Sequence, residues 1–126
     1  MKKIITTSNA PAPIGPYSQA ILSGNTLYTS GQIAINPKSG DLVMDDIKSE
    51  TEQVMQNLKA ILDEVNMTFE NVIKTTIFLS DMNNFGSVNE VYGKYLNEDT
   101  APARETVAVK TLPKSVNVEI SMIAVK

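Results

Sequence analysis

The chain has no cysteine and no histidine among its 126 residues. Without cysteine it forms no disulfide, offers no thiol nucleophile and supplies no thiolate to a metal. Without histidine it lacks the commonest general base near neutral pH and the commonest zinc ligand, and a Ser-His-Asp triad is excluded. No apolar run approaches the ~18 residues of a membrane span. Met1-Lys2-Lys3-Ile4-Ile5 begins like a signal peptide, but no apolar stretch follows it, so the expectation is a mature cytosolic (cytoplasmic) chain with no membrane partner. Clustered basic charge is lacking too. The net charge is −3, the isoelectric point is about 4.9, and the lysines are scattered from Lys2 to Lys126. That pattern argues against a nucleic-acid partner.

What remains for chemistry is Arg, Lys, Glu, Asp, Tyr, Ser, Thr, backbone amides and water, a set suited to an easy reaction on an already reactive substrate. The length fits one domain spanning residues 1–126. Arg104 is the only arginine; the ten other basic residues are lysines. Arg differs from Lys in its planar fork of donors, which grips a carboxylate or phosphate through two parallel bonds. Arg104 follows Pro102 and opens a β-rich run, which places it at a strand mouth, where sites tend to form. A structural ion pair is the competing reading of a lone arginine.

In chain order, residues 2–6 read as a short edge strand, and Pro11, Pro13, Gly15 and Pro16 make a rigid extended segment ending at Tyr17. Tyr17 reads first as a packing aromatic and second as a hydroxyl presented at a site. Gly24-Asn25 between residues 18–23 and 26–35 signals a hairpin. Gly31 within its second strand marks a bulge or a close backbone approach, with Ser30 beside it. Apolar residues at three- and four-residue spacing predict a helix over 45–65 with no chemistry of its own. Residues 72–80 form a β-branched run expected to be buried on both faces. A second helix is expected over 84–96 after the cap Asp81, with Phe85, Val88, Tyr92, Tyr95 and Leu96 as its packing stripe and Asn89 on that same stripe, there to satisfy a loop or to reach a ligand. Residues 105–112 and 116–125 read as a second hairpin about Pro113-Lys114. The two-residue period puts Glu119 on the polar face of the last strand and, through that hairpin, brings Arg104, Thr106 and Glu119 to one surface, with Glu105 opposite. The order of elements indicates an α+β fold, a sheet with both helices on one face, whose other face must be covered or polar, self-association being a natural way to cover it.

These stretches, taken in order, resemble the Rid/YjgF family and its RidA branch of imine deaminases. The resemblance rests on Ala12-Pro13-Ile14-Gly15-Pro16-Tyr17-Ser18-Gln19, Thr29-Ser30-Gly31-Gln32-Ile33, Val88-Asn89-Glu90-Val91-Tyr92, Pro102-Ala103-Arg104, Leu112-Pro113-Lys114 and Val118-Glu119-Ile120. It implies a chorismate-mutase-like subunit, a mixed sheet with two helices on one face, in a homotrimer whose sheets surround a central barrel, with three clefts between subunits. It implies hydrolysis of 2-iminoacids, the tautomers of 2-aminoacrylate-type enamines released by pyridoxal-phosphate enzymes, to 2-oxoacids and ammonium, with no cofactor and no metal. It assigns carboxylate binding to Arg104, water orientation to Glu119, and pocket positions to Tyr17, Ser30, Gly31, Asn89 and Thr106. Glu105 stands where the family usually has a small residue, and Thr106 where many members have cysteine. A non-catalytic sensor of 2-oxoacids built on the same cleft is the alternative from another functional class.

Overall fold

The computed structural model describes all 126 residues. Its strands are β1 (Lys2–Ile5), β2 (Ala20–Ser23), β3 (Thr26–Thr29), β4 (Val72–Leu79), β5 (Ala103–Ala108) and β6 (Val118–Val125). Its helices are α1 (Ile47–Glu64) and α2 (Phe85–Gly93). The strands form one mixed sheet in the order β1-β2-β3-β6-β4-β5, antiparallel throughout except that β4 and β5 run parallel. No helix is long and apolar enough to cross a membrane.

Helix α1 begins where expected, because the Asp46 side chain accepts the Ser49 N–H at 2.7 Å and so satisfies one of the orphan donors of the first turn. Its apolar stripe, Val54, Leu58, Ile61 and Leu62, is fully buried against Leu27, Ile77, Leu79, Ile120 and Met122 of the sheet. Truncating one such residue, as in Leu58→Ala, costs roughly 2–5 kcal/mol. Asp81 caps a 3₁₀ turn, Met82–Asn84, rather than α2 itself, and α2 stops at Gly93, earlier than the apolar spacing indicated. The hairpin at Gly24-Asn25 is present, with Gly24 at φ 60°, a conformation that costs glycine little. Its second strand ends at Thr29 instead of running to residue 35. Beyond it the chain touches the sheet only through isolated bridges, Gln32 to Ile120 and Ile35 to Leu42.

Two further departures concern the sheet. Strand β4 is not buried on both faces: Thr75, Ile77 and Leu79 face the helices, while Lys74, Thr76 and Phe78 face outward. More consequentially, β5 and β6 are not a hairpin. β4 lies between them, paired with β5 on one edge and β6 on the other. The alternation in β4 and β6 buries one side chain in two, which suits central strands, whereas no residue of β5 is buried, which suits an edge. Residues 109–117 are long enough to step across one intervening strand, about 10 Å between second neighbours.

The sheet's outer face carries an apolar row across four strands, Ile4, Ile21, Tyr28 and Ile123 in register. Ile4 and Tyr28 are about half exposed, at 52% and 49%. Phe78 and Val107 form a separate apolar pair on the same face, divided from the row by Lys74, Thr76, Ser121 and Glu119. An exposed apolar row of this kind is a candidate contact face.

Candidate active site

Arg104 stands at the start of β5, opposite Thr75, so its side chain projects toward the helices. Its Nη1 donates to Asn89 Oδ1 at 2.7 Å. The guanidinium also lies over two rings of α2, 5.7 Å from the centroid of Phe85 and 5.1 Å from that of Tyr92. Cation–π contacts of this kind contribute roughly 0.5–1 kcal/mol each when exposed and fix the plane of the fork. Tyr92 is itself held by its hydroxyl, which donates to Thr75 Oγ1 at 3.0 Å. Burial pushes the Tyr92 phenol above its ordinary value, so that hydroxyl remains a donor at neutral pH. No carboxylate pairs with Arg104; the ion pairs are Lys48–Glu90, Lys59–Asp63 and Lys74–Glu105. The ring faces and Asn89 orient the fork, and the rest of it opens onto a cavity of about 690 Å³ lined also by Tyr92, Leu96 and Pro102. The competing reading of the lone arginine, a structural ion pair, therefore finds no partner within the chain.

Glu105 takes the opposite face, as the two-residue period requires. Its carboxylate accepts from Lys74 Nζ at 2.8 Å and Thr76 Oγ1 at 2.9 Å. Those bonds, Lys74 first, hold its carboxyl below the ordinary value. Thr106 shares the helix face with Arg104, and its hydroxyl oxygen is buried without a partner.

The other candidate residues gather elsewhere. Glu119 pairs with Phe78 and so stands on the outer face, opposite to Arg104. Arg104 and Glu119 lie roughly 14 Å apart along and across the sheet. The expected convergence of Arg104, Thr106 and Glu119 on one surface of a single chain is thus overturned. It followed from a hairpin that β4 interrupts, and inserting one strand changes both the neighbour and the row.

Glu119 lines a second cavity, of about 510 Å³, with Tyr17, Ser30 and Gly31. The close approach expected at Gly31 is real: a Cβ there would sit 2.6 Å from Glu119 Oε2 and 2.7 Å from its Cδ. Burial pushes the Glu119 carboxyl above its ordinary value, and Lys114, which lines the same cavity, forms no ion pair with it. The hydroxyls have opposite roles. Ser30 Oγ donates to the Ser18 carbonyl at 2.5 Å, so its oxygen faces the cavity as an acceptor. Tyr17 Oη accepts the Ile14 N–H at 3.2 Å, which leaves its proton free to donate. No group of acidic side chains gathers in a metal-binding cluster.

Irregular chain walls this cavity, and buried polar side chains tie it down. Gln19 Nε2 donates to the Thr7, Ala10 and Pro11 carbonyls at 2.9, 3.2 and 2.9 Å. Asn57 of α1 donates to the Ile33 and Ile35 carbonyls at 3.1 and 3.0 Å. Sequence patterns missed these ties, and missed that Phe85 and Tyr92 stack on Arg104. The aromatics fell on a helical apolar stripe, where they read as core.

Glu119 has a stability signature. A carboxyl whose pKa is raised by folding favours the folded chain while protonated; that contribution is complete below the ordinary carboxylate value and is lost as pH rises through the raised one. Glu119→Gln is therefore expected to raise Tm at about pH 7, with a smaller gain at about pH 4, in thermal melts of the two proteins side by side.

Residues 7–126 match the family model described as Endoribonuclease L-PSP. The chain is 53% identical to a RutC family protein of Pyrococcus horikoshii, covering 100% of this chain and 99% of that protein. It is 46% identical to the 2-iminobutanoate/2-iminopropanoate deaminase of Mus musculus, covering 100% of this chain and 93% of the mouse protein. A Rid-family structure from Yersinia pestis superposes with a TM-score of 0.96 at 48% identity over 100% of both chains. E. coli TdcF, crystallised with bound serine, superposes with a TM-score of 0.92 at 40% identity over 98% of each. A mixed sheet with both helices on one face is the chorismate-mutase-like subunit that the resemblance implied. On the full-length sequence match and the superposition together, the chain belongs to the Rid/YjgF family.

Proposed function

We propose that this protein hydrolyses 2-iminoacids such as 2-iminopropanoate and 2-iminobutanoate to 2-oxoacids and ammonium in the cytoplasm, at sites assembled between the subunits of a homotrimer. The observation that carries the reading is Arg104, a guanidinium oriented by two rings and Asn89 with no acid to neutralise it. A group so placed takes a small carboxylate. Its match in kind is Glu119, a lone half-buried carboxylate over Gly31. Each lies in its own cavity on its own side of the sheet, so the two act on one small molecule only if different chains supply them. The apolar row on the outer face offers the surface for that association.

In the assembled site Arg104 holds the substrate carboxylate and thereby fixes the adjacent C=N carbon. Glu119 accepts a proton from water as the oxygen bonds to that carbon, giving a tetrahedral carbinolamine. Returning that proton to nitrogen lets the C–N bond break while the hydroxyl proton passes to Glu119, so that the C=O forms and the departing ammonia takes this proton away as ammonium. Tyr17 donates to, and Ser30 accepts from, the groups on the tetrahedral centre. Thr106 adds its backbone N–H near the carboxylate. The deaminase name borne by the mouse relative and the serine bound to TdcF support a small substrate with a carboxylate and a nitrogen at the α-carbon.

The test supplies the iminoacid from a purified serine or threonine dehydratase and follows its loss by trapping with semicarbazide. Faster loss in the presence of this protein is the expected result. Binding of 2-oxoacids without any acceleration would replace the enzyme with the sensor. Gly31→Ala refines the test. The new methyl meets only the far end of a flexible side chain, so the fold persists while the Glu119 carboxylate moves by about 1 Å, a displacement that lowers kcat on the order of 10²-fold.

A further inference from the structure

Glu50 is a buried carboxylate that the mechanism does not use. It lies in the first turn of α1, fully buried, and no cation pairs with it. A charge in such a place is costly unless hydrogen bonds replace its water. Three do: Oε2 accepts the Asn117 N–H at 2.7 Å and the Val118 N–H at 3.2 Å, and Oε1 accepts Asn117 Nδ2 at 2.8 Å. All three donors belong to the two residues before Glu119. From the other side, Ser80 donates its N–H to the Asn117 carbonyl at 3.1 Å and its hydroxyl to Asn117 Oδ1 at 3.2 Å. The approach to this point is awkward backbone, since Lys114 and Ser115 adopt φ of 55° and 56° in succession. Side-chain-bearing residues reach that region only when their surroundings hold them there.

We propose that Glu50 is a positioning residue for Glu119, and through it for the attacking water. The proposal rests on the reading of Glu119 as the water-orienting carboxylate. The chain enters β6 from two left-handed residues and is pinned at Asn117 and Val118. Val118 then points into the core, and Glu119 rises on the opposite face over Gly31. Loss of the Glu50 acceptors frees the backbone one residue upstream of the reacting group. What the clamp requires is acceptors, not charge. In Glu50→Gln the amide oxygen still accepts both backbone N–H groups, and the amide nitrogen donates to a flipped Asn117 Oδ1. In Glu50→Met the space is filled but both N–H groups lose their partner.

The test measures kcat of the wild-type protein, Glu50→Gln and Glu50→Met in the dehydratase-coupled assay, together with the Kd for 2-oxobutanoate, which reports on Arg104. Expected are near-wild-type kcat for Gln, a fall on the order of 10²-fold for Met, and unchanged Kd in both. A role in packing alone predicts Met at least as active per folded site as Gln; that result, or Gln falling as far as Met, overturns the proposal. Should Met fail to fold, Asn117→Ala carries the test, because it removes the side-chain bonds and leaves both backbone ones. A several-fold fall in kcat at unchanged Kd then supports the proposal, and wild-type kcat overturns it. Glu119→Gln runs alongside. If it turns over at the wild-type rate, the reading of Glu119 fails, and that failure is distinct from any result at position 50.

Discussion

Arg104→Ala is expected to lose carboxylate capture and with it nearly all accelerated loss of iminoacid, while the folded assembly persists. Two charge-assisted hydrogen bonds to a carboxylate contribute about 3–4 kcal/mol together, so kcat/KM should fall roughly 10²–10³-fold. The stability cost is small, because the side chain is exposed and lies on Phe85 and Tyr92 without being enclosed by them. Arg104→Lys separates charge from shape. A lysine restores a cation but not the planar fork, nor its stacking between the rings, so it should recover only a minor part of the loss. Size-exclusion chromatography and thermal melting establish that the variants are assembled, and the coupled assay reads the effect. Unchanged turnover in Arg104→Ala would remove Arg104 from the reaction.

Mixing two inactive proteins should restore activity. Arg104→Ala subunits retain the Glu119 half of the cleft, and Glu119→Gln subunits retain the Arg104 half. Each variant alone forms only damaged sites. Unfolded together and refolded, the chains reassort, and one junction in each mixed trimer joins an intact Arg104 to an intact Glu119. Random reassortment leaves about a quarter of all sites whole. Recovery approaching that fraction of wild-type activity is the expected result; a mixture as inactive as its parents would mean that one chain supplies both groups. The expectation follows from β4 separating β5 from β6 and putting Arg104 and Glu119 on opposite faces.

That separation also shows where sequence reading stopped. The two-residue period correctly divided Arg104 and Thr106 from Glu105, because alternation within one strand is local. It could not relate Arg104 to Glu119, which lie on different strands. Pro113-Lys114 announces a reversal of direction but not how many strands the chain crosses before pairing again. The position of Gly31 was legible because glycine in a strand pattern has few explanations, and close approach to Glu119 is one of them. Helix α1 was legible because its apolar spacing is long and regular. Glu50 was not, since an acid in the first turn of a helix reads as a favourable end charge. Only the tertiary fold reveals that its oxygens face inward. Phe85 and Tyr92 were seen as packing residues, and they are; that the object packed on them is the guanidinium depends on where β5 lies.

In the proposed trimer, the row of Ile4, Ile21, Tyr28 and Ile123 would make the protein's durability depend on how much of it is present. Subunits that cover this row for one another are stabilised by mass action, so the midpoint of unfolding should climb with protein concentration. At high dilution the same side chains face water, and so do the two strand edges, β1 and β5, so the separated chain keeps only the stability of its own core. The face proposed to join subunits at working concentrations would be, in scarcity, the point at which a lone chain stands least protected.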